Sequence, residues 1–264
     1  MLTCFICGDK MHYHFSKQFQ EPELGKVDYH ACGNCGFTIS KNHLELSNDD
    51  WVSLNIGWHR QNNQREENPW NREQRYFNQG QMLYLLKKCE IIQPKRILDW
   101  GSGEGLFSRV LNDIFDIQVL SFDKYIEPKY HAVQSLEGLK SSFELVLNNA
   151  VFEHVTSRET LDEINSYVNN TGCLSVHTLV RENIPADPDW MYLLPVHSCF
   201  HTNKSMEILM KQWGYTCSVY NEVAKLWVFF KADVAEMEKK ISSANKQVGF
   251  NYFKFKEGFM DYWK

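Results

Sequence analysis

The middle of the chain alternates between two spacings. Short apolar runs at Ile97–Leu98, Val119–Phe122, Phe143–Leu147 and Cys173–Val180 have the length of buried strands. Between the first two, Leu106, Phe107, Val110, Leu111 and Ile114 recur on one helical face, and Thr160–Val168 carries further helix signals. Strand-like runs separated by amphipathic helices predict an α/β fold with a largely parallel sheet. A weaker strand is expected near Tyr130–Gln134. Upstream, Tyr76, Phe77, Gln81, Leu83, Tyr84 and Leu86 largely keep a helical stripe that starts near Arg72, and Pro94 ends it. Downstream, Asn203–Trp213 reads as a helix stopped by Gly214, and Tyr215–Val223 with Lys225–Lys231 as a hairpin. Arg181–Phe200 holds three prolines and several aromatics and is too irregular for a regular element. Lys41–Asn55 reads as a polar connector, and Gly57–Glu73 as a solvated linker or a lid over a ligand.

The turn after the first run reads Asp99-Trp-Gly101-Ser-Gly103-Glu-Gly105, and the second run ends in Asp123. Glycines allow a sharp turn and close backbone approach to a ligand, and the following helix aims free N–H groups at the same spot. A carboxylate at the tip of the next strand can accept from both hydroxyls of a ribose. A dinucleotide fingerprint is not met, because Leu106 stands where its spacing calls for glycine. The segment resembles motif I of the class I S-adenosylmethionine-dependent methyltransferases, with Asp123 matching their ribose-binding acid.

Farther on, Asn148 and Asn149 stand at the carboxyl end of the Phe143–Leu147 strand, where open α/β sheets place ligands. Phe152-Glu153-His154-Val155 then resembles the "LEHV" signature of small-molecule members of that family. The resemblance covers about residues 72 to 231 and implies a Rossmann-like, seven-stranded methyltransferase sheet. It implies a cofactor site of Asp99, Gly101, Ser102, Gly103, Gly105, Asp123, Asn148 and Asn149, holding S-adenosylmethionine. Catalysis is then mostly in-line positioning of donor and acceptor, with a histidine taking the acceptor's proton. His197 is the first candidate, ahead of His201 and His154. His197-x-x-Phe200 is also similar to the "EHxSYF" segment of zinc-containing sugar C-methyltransferases, but Val196 replaces the motif's Glu. That departure turns the expectation from C-methylation to O-methylation.

Near the start, Cys4-x-x-Cys7-Gly8 and Cys32-x-x-Cys35-Gly36 form two knuckles. Four thiolates complete a tetrahedral shell, so a structural Zn2+ is expected, on a hairpin with a long loop. A Cys3His variant using His12, His14 or His30 is the less economical alternative.

Composition narrows the partners. At 264 residues the chain has room for one large domain and a small module. The division expected is a zinc-binding module at 1–50, a linker or lid at 51–75, a methyltransferase domain at 76–232 and a helical and aromatic extension at 233–264. A net charge of -5 builds in no attraction to phosphate backbones, which favours a small-molecule acceptor over nucleic acid. No apolar run reaches membrane-span length, and the eight cysteines, four of them in knuckles, point to a reducing cytoplasm. Lysines interleave with aromatics over Phe250–Trp263, which reads first as packing on the parent domain or a second subunit and only then as a base-stacking strip. The function expected is O-methylation of a sugar, nucleotide-sugar or natural-product hydroxyl. The alternatives are an RNA methyltransferase that grips RNA with its zinc module and a non-catalytic scaffold.

Overall fold

The computed structural model describes residues 2–21, 23–65 and 70–261, the side chains of 60–65 and 70–72 excepted. The Phe250–Trp263 expectation therefore falls partly outside the described residues.

The first knuckle leads into a hairpin, β1 (Met11–Gln18) and β2 (Lys26–Cys32), which returns the chain to the second knuckle and to β3 (Thr38–Ser40). Two helices then occupy the stretch expected as a connector. Ser40 caps α1 (Lys41–Glu45) through its hydroxyl. Ser47 accepts from the Asp50 N–H at the start of α2 (Asn48–Arg65), with Asp49 and Asp50 in its first turn. The scattered apolar positions Trp51 and Leu54 are not spacers, since both are buried. The expected linker or lid is therefore partly α2, while its stretch at 66–69 lies outside the described residues.

From α3 (Trp70–Lys88) the chain enters the repeat foreseen from its periodicity: β4 (Ile97–Trp100), α4 (Leu106–Phe115), β5 (Leu120–Phe122), β6 (Phe143–Asn149), α5 (Arg158–Ser166) and β7 (Val168–His177). A short β8 (Val180–Arg181) follows. The irregular stretch ends at β9 (Cys199–Thr202), then come α6 (Asn203–Gln212), β10 (Cys217–Asn221), β11 (Leu226–Phe230), α7 (Val234–Val248) and β12 (Lys254–Glu257).

The larger sheet has seven strands in the order β12-β10-β11-β7-β6-β4-β5. Its centre is parallel (β5, β4, β6, β7), and β11, β10 and β12 join antiparallel. The strand expected at 130–134 does not form: Ala132 makes a single parallel bridge to Ser121. The seventh strand comes instead from the tail, at the opposite edge. There Phe253 and Phe259 are buried while Phe250 is 62% exposed, so the tail's aromatics mostly pack on their own domain.

Helices cover both faces. Met82, Leu83 and Leu86 of α3, Phe107 and Leu111 of α4, and Met237, Ile241 and Ala244 of α7 share one core. Leu161 and Ile164 of α5 and Met206, Leu209 and Met210 of α6 share the other with Cys4, Cys35 and Phe37 of the knuckles. The second sheet, β1-β2-β3-β9-β8, is shared by distant parts of the chain, because Thr38 and Ile39 pair with Phe200 and Cys199. Beneath it an aromatic cluster joins Phe15, Tyr29, Trp51, Trp190 and Phe200.

Candidate active site and cysteine cluster

The chain leaves β4 between β5 on one side and β6 on the other, the position where an open α/β sheet forms a crevice. A cavity of about 280 Å³ lies there. Its floor is the turn after β4, folded back so that the Gly101 and Ser102 N–H groups donate to Phe122 O at 2.8 and 3.1 Å. Gly101 has φ +76°, and a Cβ there would stand 2.5 Å from Val151 Cγ2, so glycine is required. Gly103 donates its N–H to Asp123 Oδ2 at 2.8 Å. Asp123 Oδ1 accepts from the Tyr125 and Ile126 N–H groups at 2.9 and 3.0 Å. Asp123 lines the cavity, and Oδ2 has capacity for a second hydrogen bond.

Several lining residues carry buried polar atoms without a partner: Arg75 Nε, Ser102 Oγ, both amide atoms of Asn149 and His154 Nδ1. Buried polar groups are ordinarily paired, so these atoms are available to a bound polar ligand or to water.

Three of the expected cofactor residues do other work. Asp99 is buried behind the turn and accepts from Ser108 Oγ at 3.1 Å. Burial, reinforced by the Asp123 charge, pushes its carboxyl up to about 7. Asn148 is also buried and donates to Trp100 O at 3.2 Å, bracing β6 to β4. Gly105 caps α4 with φ +81°. Among the described residues, none of the three lines the cavity.

At the opposite end, α2 supplies Trp51, Asn55, Ile56 and His59 as a wall. His154, in the 3-10 turn Phe152–His154, faces it with ring centroids 5.8 Å apart. Of the three expected histidines it alone lines the cavity. His197 stands behind it, perpendicular at 5.0 Å, with Nδ1 bonded to Tyr192 O at 2.8 Å. Burial pulls His197 down to about 4; burial, with the neighbouring His197, pulls His154 down to about 3. His201 must be withdrawn as a candidate, because it is fully buried between Phe37 and Phe152 at 5.0 and 5.6 Å.

Glu153 is the residue that sequence reasoning undervalued. It is 2% exposed, accepts from Tyr192 OH at 2.6 Å and from Thr178 Oγ1 at 2.9 Å, and lies against both histidines. The Phe152–Val155 signature pointed to it. Nothing in the pattern singled out His59 or Arg75.

The four knuckle cysteines converge. Cys4 and Cys35 Sγ are 3.7 Å apart, Cys7 and Cys32 3.4 Å, and Cys7 and Cys35 3.6 Å. Gly8 and Gly36 take the left-handed backbone that closes each turn, with φ +79° and +71°. The bond between Cys35 and Cys4 pulls the Cys4 thiol down to about 6 and pushes Cys35 up. Among the described residues no histidine joins this group. The cluster is tied to the larger domain through Thr202 Oγ1 to Cys35 O, Arg158 to Phe5 O at 3.2 Å and Gln212 to Ile6 O at 2.8 Å.

Residues 70–218, more than half of the chain, match the family model described as a methyltransferase domain. The chain belongs to this methyltransferase family. Its glycine turn, acidic strand tip and sheet are those of the class I S-adenosylmethionine-dependent enzymes. Among solved structures, the methyltransferase is similar to Burkholderia thailandensis 1,6-didemethyltoxoflavin-N1-methyltransferase, with its substrate and S-adenosylhomocysteine bound. That match has 12% identity and a TM-score of 0.50, and covers 83% of this chain and 100% of the other. The plantazolicin methyltransferase BpumL, bound to a pentazolic desmethyl analogue and S-adenosylhomocysteine, gives 12% identity and 0.49, covering 69% and 95%. No curated protein matches the chain. Among the described residues no helix is long and apolar enough to cross a membrane.

Proposed function

We propose that this methyltransferase transfers a methyl group from S-adenosylmethionine to the hydroxyl of a small molecule: a sugar, a nucleotide-sugar or a natural product. The observation that carries the reading is the set of orphaned polar atoms around the cavity at the ends of β4, β5 and β6. Asp123 Oδ2 would accept from the ribose, Gly101, Ser102 and Gly103 would lie under the nucleoside, and Asn149 would pair with its polar edge. The cofactor supplies an activated methyl group with its own leaving group. The protein's part is to hold the acceptor in line with it and to exclude water, which Trp51, Ile56, Tyr76 and Trp100 do as cavity walls. The acceptor's proton leaves toward the wall formed by His59 and His154.

A small acceptor suits a cavity of this volume, and the toxoflavin enzyme to which the fold is similar acts on a small heterocycle. The four converging sulfurs fit a structural Zn2+, which they would enclose completely. Calorimetric titration with S-adenosylhomocysteine tests the cofactor reading. Asp123→Asn is expected to weaken binding, and equal affinity in the variant removes the assignment. Metal analysis of protein purified without chelator should recover zinc at one per cysteine cluster. Product mass after incubation with hydroxyl-bearing acceptors, an RNA pool in parallel, tests the acceptor class.

A further inference from the structure

We propose that Glu153, His154 and His197 form a second metal site, for a divalent transition-metal ion, behind the wall of the cavity that His154 lines. One ligand atom from each lies within 4.8 Å of the other two. This rests on the placement of the acceptor beside His154 and goes beyond it by naming an ion held behind that wall.

Three features fit a metal better than a purely structural cluster. The first is the outward anchoring of the His197 imidazole, whose Nδ1 is bonded to Tyr192 O at 2.8 Å. Metal-bound histidines characteristically spend one ring N–H on a backbone carbonyl, which fixes the tautomer and leaves the other nitrogen's lone pair for the ion. The second is that this lone pair is bare at His154, whose Nδ1 is buried without a partner. A buried ring nitrogen without a protein partner is open to a ligand.

The third feature is charge. Glu153 is 2% exposed, and its oxygens accept from two hydroxyls, Tyr192 and Thr178. Among the described residues no lysine or arginine forms an ion pair with it. A carboxylate held in the interior calls for a positive partner. A divalent cation supplies it, and the two hydroxyls become the hydrogen bonds that orient a ligating carboxylate. Two imidazoles and one carboxylate suit Zn2+, Co2+ or Fe2+ and leave coordination positions open. His154 and His59 both line the cavity, so an ion held by the cluster would lie beside it. An acceptor oxygen bound there would lose its proton more readily than in water.

The test uses the full chain with zinc left in the cysteine cluster, titrated with Co2+. Uptake is followed by calorimetry, metal analysis after desalting and visible absorption. One further equivalent per chain is expected, with weak d–d bands and no thiolate charge-transfer band. His154→Ala and His197→Ala should abolish it, and Glu153→Gln should weaken it about tenfold or more. If the alanine variants do not fold, His197→Gln and Glu153→Gln carry the test. No equivalent beyond the cysteine-bound ion, or an extra equivalent of unchanged affinity in these variants, overturns the proposal. S-adenosylhomocysteine binding is measured on the same samples. Its absence in the wild type defeats the cofactor reading alone, while cobalt uptake still decides the metal site.

Discussion

The two ends of the cavity are built in opposite ways. The proposed cofactor end is built mainly from one stretch, from Trp100 to Ile126, with the glycine turn and its acidic partner separated by a single helix, and only Asn149 to Val151 added from elsewhere among the described residues at that end. The proposed acceptor end is walled by α2 and by His154 from the turn at 152–154, and is backed by Thr178 and by the irregular segment carrying Tyr192 and His197. The first is held by backbone hydrogen bonds within itself. The second is held by one buried carboxylate and by a sheet that two distant parts of the chain share. Local construction gives precision that little else can disturb, whereas the assembled end depends on packing far from the chemistry.

That contrast can be broken by substitution. The largest effect is expected at His154. His154→Ala should lower turnover about 10²- to 10⁴-fold in steady-state kinetics while S-adenosylhomocysteine affinity stays within a few-fold. A matching loss of cofactor affinity would show that the two ends are not separable. Asp123→Asn should do the reverse. Removing a charge-assisted hydrogen bond of about 1.5–3 kcal/mol should weaken cofactor binding roughly 10- to 100-fold, read by calorimetry.

Acid should act on the assembled side. Burial pulls His43, which is bonded to Pro195 O at 2.8 Å, and His201 each down to about 4. Their folded pKa lies below the unfolded value, so their stabilisation is complete above about pH 6.5 and is lost as the pH falls toward 4. Melting temperature should drop through that window, and hydrogen exchange should open β3 and β9 before β4 and β6. The smallest effect is expected at Lys204, whose ammonium bonds the Asn34 carbonyl at 2.7 Å at the surface. Lys204→Ala should cost under about 1 kcal/mol in denaturant titration and leave turnover unchanged.

The same contrast explains what could be read in advance. The periodicities predicted β4, α4, β5, β6 and the closing hairpin because each is local and has one apolar face. The glycine spacing and Asp123 were legible for the same reason. Asp99 and Asn148 share the motif's neighbourhood, yet their side chains turn inward, a distinction of one register step that spacing cannot express. The Tyr130–Gln134 strand failed because a single bridge was all that segment could make, and the tail completed the sheet at the other edge. Helix α2 was hidden by its polarity: among its described side chains Trp51 and Leu54 reach the core, and their partners Tyr29 and Phe200 come from other regions. The placement of Glu153 beside His197 depends on 43 intervening residues returning to one spot, which no local pattern encodes.

The pairing of Thr38 with Phe200 also sets a timetable for folding. While a nascent chain has emerged only as far as α5, the hairpin and β3 exist with one edge exposed, and an exposed edge invites pairing with a stranger. Such long-range closure is slow compared with helix formation. Ion capture by the four thiols, complete once Cys35 has emerged, would hold that sheet together through the wait. Chelator present during refolding should therefore raise aggregation far more than chelator added afterwards.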